Sequence, residues 1–201
     1  MNNLKNYIPI QVPINTYQIN YNGYILDTIQ VKIDKEEYEI CEKSSHNMWA
    51  NNKKGKWGLG YKNTVEDPRK VERAGRLGEM AFGKVSGSSV DLSYIKYGDK
   101  QDAIFRGKRV NIKTAFDLYG VVMIQCEING YIKPLYEDVY VFAYLSADNR
   151  NEKRAVINFL GCLLKPEVIT KRKVSKHNWV NYECPYSELH TMNELFSIPT
   201  I

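Results

Sequence analysis

No stretch of this 201-residue sequence approaches the ~20 consecutive apolar residues needed to span a bilayer. The first residues, Met-Asn-Asn-Leu-Lys, lack the apolar core of a secretory signal, so a cytoplasmic chain with no membrane partner is expected. Cysteine is sparse: Cys41, Cys126, Cys162 and Cys184 lie far apart, with no Cys-x-x-Cys and no Cys/His pairing. That spacing excludes the usual structural zinc sites and predicts four reduced core thiols. There is no internal repeat and no low-complexity linker. Phosphate loops are missing too, since Gly55 to Gly60 (GKWGLG) lacks a Gly-Lys-Ser/Thr end and a strand-to-helix context. His46, His177 and His190 are isolated from any base or nucleophile at meaningful spacing, which argues against histidine-based catalysis.

What is present is ordinary for a folded domain. The chain is 43% hydrophobic and 25% charged, which excludes disorder and a disulfide miniprotein. Its length suits one domain with a real core. The net charge of +5 permits an acidic partner such as nucleic acid. Tyrosine dominates the aromatics, with 15 Tyr against 6 Phe and 3 Trp. With abundant Asn and Lys, that excess reads as a coding bias as much as a function.

Residues 1–33 read as an extended arm. Ile8, Ile10, Val12 and Ile14 alternate with Pro9, Gln11 and Pro13, and proline confines such a stretch to an edge or a docked segment. Tyr24 to Ile33 has the period-two apolarity of a strand. Asp34 then stands as an N-cap three residues before Glu37, predicting a helix over 35–50. Asp67-Pro68 predicts a second helix with an apolar stripe at Val71, Ala74, Leu77, Ala81 and Val85, ended near Gly87. Strands are expected over 103–105, 109–113, 120–127, 139–145 and 155–164, with a tight turn at Phe105-Arg106-Gly107-Lys108. Two helices followed by a meander of strands predict an α/β or α+β domain with helices on the sheet.

Four polar positions fall where such elements could bring them together. Glu79 lies in the second helix and Asp102 just before a strand. Across the predicted hairpin, alternation puts Asn111 and Lys113 on one strand face, with Val110 and Ile112 on the other. Carboxylates, an amide oxygen and a lysine suit phosphodiester chemistry: hard divalent ions take oxygen ligands, and lysine steadies developing negative charge. The bland alternatives are a solvated Glu79 pairing with Arg76 or Lys84, a turn role for Asp102, and a snorkelling Lys113. Thr114, Gln125 and Asp138 are read as strand or turn residues.

Gly98-Asp99 with Asp102, the turn at Gly107, and Val110-Asn111-Ile112-Lys113-Thr114 resemble the core of the PD-(D/E)XK nuclease superfamily. The preceding Gly78-Glu79-Met80-Ala81-Phe82 is similar to the Gly-Glu-x-Ala-Phe helix of many restriction-endonuclease-like members. Asp138 to Phe142, Ile157 to Leu164 and Tyr182-Glu183-Cys184-Pro185 with Leu189 follow in similar order, so the resemblance covers about residues 66–195. It implies an α/β fold with a restriction-endonuclease-like central mixed β-sheet flanked by helices, in a domain of residues 34–201 behind the β-rich arm 1–33. It also implies DNA hydrolysis dependent on Mg²⁺ or Mn²⁺, in the cytoplasm of a bacterial or phage-infected cell. Glu79 and Asp102 would be metal ligands and Lys113 the residue beside the attacking water. The family's second acid falls on Asn111, which keeps an oxygen donor and loses a full charge. An engineered inactive variant, a nuclease compensated by Glu79, and a member that only binds nucleic acid all remain open, as does an assembly protein on the same fold. A homodimer is one arrangement the resemblance allows, because two strands must be cut.

Two basic clusters complete the reading. Lys53, Lys54 and Lys56 lie near Trp49 and Trp57; Lys171, Arg172, Lys173 and Lys176 lie near His177 and Trp179. Such interleaving suits phosphate contact with base stacking, although charge runs are commonly just solvated faces.

Overall fold

Two tight turns organise the edges of the main sheet. The computed structural model describes residues 7–54, 68–92, 101–128, 131–132, 134–170, 172–174 and 180–199. Strands β1 (Thr16–Tyr21) and β2 (Tyr24–Ile33) are joined by Asn22-Gly23, with φ of 49° and 84°. Strands β3 (Ala103–Phe105) and β4 (Lys108–Ala115) are joined by Arg106-Gly107, with φ of 49° and 79°. Paired positive φ values give the turn whose twist matches that of the flanking strands. The second hairpin matches the expectation from sequence. The first was signalled by Asn-Gly, a cue the reading of residues 1–33 as an arm passed over.

Between the hairpins lie α1 (Lys35–Lys54) and α2 (Pro68–Ser86). Helix α1 opens with a capping box: Glu37 N–H donates to Asp34 Oδ1 (3.1 Å), and Asp34 N–H donates to Glu37 Oε2 (3.0 Å). The same Glu37 oxygen holds Lys84 Nζ at 2.6 Å, and that ammonium also reaches Lys32 O at 3.0 Å. One buried carboxylate thus ties the end of β2 to the start of α1 and the end of α2. Beside it, Asp148 accepts from Tyr38 Oη (2.6 Å) and Arg73 Nη2 (2.7 Å), so each buried cation of this layer has a carboxylate.

After β4 the chain forms β5 (Val121–Gln125), β6 (Glu127–Ile128) and β7 (Tyr131–Ile132). It returns as the long strands β8 (Val139–Asn149) and β9 (Arg154–Leu164), then α3 (Lys165–Thr170), β10 (Arg172–Val174), β11 (Val180–Pro185) and α4 (Met192–Ser197). The central sheet has the order β1-β2-β9-β8-β4-β3 and is mixed, because β4 and β8 run parallel while the other neighbours are antiparallel. The simple meander expected from sequence is corrected here. Strand β5 leaves to join a separate sheet, β10-β11-β5, and this excursion brings β8 back parallel to β4. Strand β2 sits inside the central sheet, and its Ile29, Val31 and Ile33 are core residues.

Period-two alternation divides the core into two layers. Val110, Ile112, Val139, Val141 and Ala143 face α1 and α2 with Leu77, Met80 and Phe82. Tyr140, Phe142 and Leu163 face the other way, under Val122, Ile124 and Cys184 of the smaller sheet and Val168 of α3. All four cysteines are buried thiols outside any disulfide, as expected from their spacing. Residues 7–12 dock as the prolines suggested: Tyr7 exchanges backbone hydrogen bonds with Val90, and Val12 N–H donates to Lys84 O (2.9 Å).

Helix α2 is buried almost continuously from Arg73 to Val85, far more than its apolar stripe suggested. Gly78 explains its approach to β4. A Cβ there would collide with Thr114 Oγ1 and sit 3.4 Å from Ile112 Cγ2. Gly78→Ala is therefore expected to cost about 1–3 kcal/mol, the scale of overpacking a full core. Thr114 Oγ1 is buried without a partner, so Thr114→Ala should be tolerated and should recover most of that loss in the double variant. Denaturant melts of the two single variants and the pair measure this; strictly additive losses would place the strain elsewhere.

Candidate functional site

Of the site residues expected from sequence, Asp102, Asn111 and Lys113 lie together on the β3–β4 hairpin, whereas Glu79 comes from α2, which packs on the opposite face of β4. Asp102 sits just before β3 and is locked to the strand opposite. Its N–H donates to Val110 O (3.0 Å), and its Oδ2 accepts from Ile112 N–H at 2.6 Å. These two bonds straddle Asn111, so Asp102 is held against the residue that replaces the family's second acid. Asn111 and Lys113 share the face opposite α2, as alternation predicted, beside Tyr140 and Phe142 of β8. Asn111 is buried and Lys113 is exposed.

Burial holds the Asp102 carboxyl above its usual range. The charge of Lys113, the Ile112 N–H and the charge of Arg76 oppose that rise, and the charge of Glu137 adds to it. Lys113 is thus close enough to act on the carboxylate that the resemblance pairs with it.

Glu79 joins this group indirectly. Its Oε2 is 2.6 Å from Arg76 Nη1, and that nitrogen also donates to Asp91 O (2.9 Å). Asp91 N–H in turn donates to Asp102 O (3.2 Å). The Arg76 pairing foreseen for a solvated Glu79 is real, but both side chains are buried, so it is no surface pair. A Glu79 carboxylate acting as a ligand has to share its charge with that guanidinium.

Glu137, in the turn before β8, was missed from sequence. Its Oε1 accepts from Asn111 Nδ2 (3.3 Å) and its Oε2 from Tyr140 Oη (2.7 Å). Burial and that bond to Glu137 push the Tyr140 phenol well up, so it stays a donor. Only the pairing of β4 with β8 places Asn111 next to Tyr140, and no local motif announces that. Its neighbour Asp138 is structural: Oδ2 accepts from Arg109 N–H (2.8 Å), which holds the carboxyl below its usual range. Thr114 faces α2, and Gln125 lies in the smaller sheet opposite Asn181.

Among the described residues, no group of three or more His, Cys, Asp and Glu side chains is placed to hold a metal ion. The donor set at Asn111 is of another kind, two carboxylates with an amide. Asn111 Oδ1 is buried and accepts no hydrogen bond, although its Nδ2 is satisfied. A buried oxygen without a donor is unfavourable, and a hard cation is one partner that would satisfy it. The residues at this edge therefore fit a divalent ion.

Of the basic clusters, Lys53 and Lys54 close α1, while Arg172 and Lys173 pair with Tyr182 and Asn181 in the smaller sheet. Lys56, Lys171 and Lys176 lie outside the described residues, as does His177. His190 Nε2 lies 2.6 Å from Glu167 Oε1, away from this site, and His46 lines a charged surface pocket.

No helix among the described residues is long and apolar enough to cross a membrane. Comparison with family models, with curated proteins and with solved structures gave no match to this chain.

Proposed function

We propose that this chain is a divalent-cation-dependent nuclease of the PD-(D/E)XK type, acting on DNA, with its site at the β3–β4 edge. The observation that carries the reading is the orphaned Oδ1 of buried Asn111, bracketed by the backbone and carboxylate of Asp102 and followed by Lys113. Asp102 and Asn111 would hold Mg²⁺ or Mn²⁺, with Glu79 contributing as it shares Arg76. When bound, the ion would acidify a water and offset charge on the phosphate.

The chain's own groups do the rest. Lys113 is exposed, so its ammonium can meet a phosphate oxygen and the incoming water while its neighbours Val110 and Ile112 fix the strand beneath it. Water oxygen bonds to phosphorus and gives its proton to solvent, one ester P–O bond breaks, and the leaving alkoxide takes a proton from solvent. Arg76 supplies further positive charge behind Asp102.

The test is incubation of the full chain with duplex and single-stranded DNA in Mg²⁺ or Mn²⁺, with chelator controls. Cleavage is expected only with the ion present. Lys113→Ala should keep ion binding within about threefold yet lower the rate by about 10²-fold or more, the scale of losing one charge-stabilising donor. If neither the parent nor Asn111→Asp cuts while both are folded, the nuclease reading fails. Ion-independent retention of DNA without cleavage would then favour an inert binding protein.

A further inference from the structure

We propose that Glu137 is the second carboxylate of the cation site, completing with Asp102 and the amide oxygen of Asn111 the set that Asn111 alone leaves one charge short. This deepens the nuclease reading and rests on its divalent ion. Asn111 is only 9% exposed, and its amide is half satisfied: Nδ2 meets Glu137 Oε1, whereas Oδ1 meets no donor. A purely structural Glu137 accounts for the Nδ2 bond. It does not account for a buried acceptor left empty one bond away.

The carboxylate is also held in place. Tyr140 Oη donates to Glu137 Oε2 at 2.7 Å, and Tyr140 is the direct neighbour of Asn111 across the parallel pair. Ligating carboxylates characteristically have such a supporting hydrogen bond. Glu137 is further near enough for its charge to act on Asp102. Glu137, bonded to the Asn111 amide, and Asp102, bonded to the backbone of both neighbours of Asn111, flank that unsatisfied oxygen and give an oxygen-only donor set suited to Mg²⁺ or Mn²⁺ and poorly suited to softer metals. Glu79 shares its carboxylate with Arg76, so its charge alone does not make up the deficit.

The experiment is titration of the metal-free full-length chain with Mn²⁺, free Mn²⁺ being read by electron paramagnetic resonance. Glu137→Gln is expected to weaken binding by about tenfold or more, on the scale seen for groups that tune metal sites. Glu152→Gln, which alters a surface acid outside this group, should change it by less than about threefold. Circular dichroism and a thermal melt check that each variant folds, and Glu137→Asp, which keeps the charge, should recover part of the affinity. If the parent binds Mn²⁺ and Glu137→Gln binds equally well, Glu137 is no ligand and the cation reading stands without it. If neither the parent nor Asn111→Asp binds Mn²⁺, both ideas fall together.

Discussion

Replacing Asn111 by aspartate is expected to make the metal-free protein less stable and the metal-bound protein a better nuclease. The amide Nδ2 that donates to Glu137 Oε1 at 3.3 Å would become a second carboxylate oxygen facing the first. Like charges about 4 Å apart repel by roughly 4 kcal/mol at the effective dielectric of a protein surface. Sharing a proton or turning aside will relieve part of this, so a melting temperature several degrees lower is the expected result without metal. With Mn²⁺ the order reverses, because a full charge now meets the ion. Binding should tighten by about tenfold or more, which is about 1.4 kcal/mol or more. Paired thermal melts with chelator and with Mn²⁺, alongside cleavage rates, measure both halves. A variant destabilised equally in the two conditions would show that position 111 never meets a cation.

Asp102→Asn should do the opposite: stabilise the empty protein while abolishing its chemistry. The Asp102 carboxyl lies above its usual value of 3.8 because burial and Glu137 outweigh Lys113, the Ile112 N–H and Arg76. The folded state therefore holds this proton more tightly than the unfolded chain does. Stability is lost as pH rises through the interval from 3.8 to the raised folded value, and it stays lost above that interval. Asparagine removes the charge and keeps an oxygen for Ile112 N–H. Its advantage over the parent should thus be absent in strong acid and full at neutral pH, where each 1 kcal/mol raises the melting temperature by about 2–4 °C in a chain of this size. Mn²⁺ affinity should fall by about tenfold or more, and cleavage should become undetectable. Equal melting curves at all pH values would mean that Asp102 sits in water like any surface acid.

How much of this was written in the sequence depends on how local each cue was. The capping box of Asp34 and Glu37, the Arg106-Gly107 turn, and the alternation of Asn111 and Lys113 all rest on a few neighbouring residues, and each appears where expected. Asp102 against Asn111 follows from the hairpin alone. Glu137 was invisible because its place depends on β8 returning parallel to β4 across an intervening sheet, which no short window encodes. The burial of α2 was underestimated for a similar reason. Arg73, Arg76 and Lys84 look like a solvated face until Asp148, Glu79 and Glu37 come from other turns and elements to neutralise them.

The position of β2 between β1 and β9 also dictates an order of events during synthesis. Ile29 pairs with Phe159, and Val31 with Ile157, so the inner N-terminal strand cannot find its partner until most of the chain has been made. Until then the apolar side of α2 has only part of its sheet to lie on. Contacts so distant along the chain close slowly, and surface left bare in the interval is open to association. For this protein the expression temperature should therefore govern the yield of folded material more strongly than its final stability does.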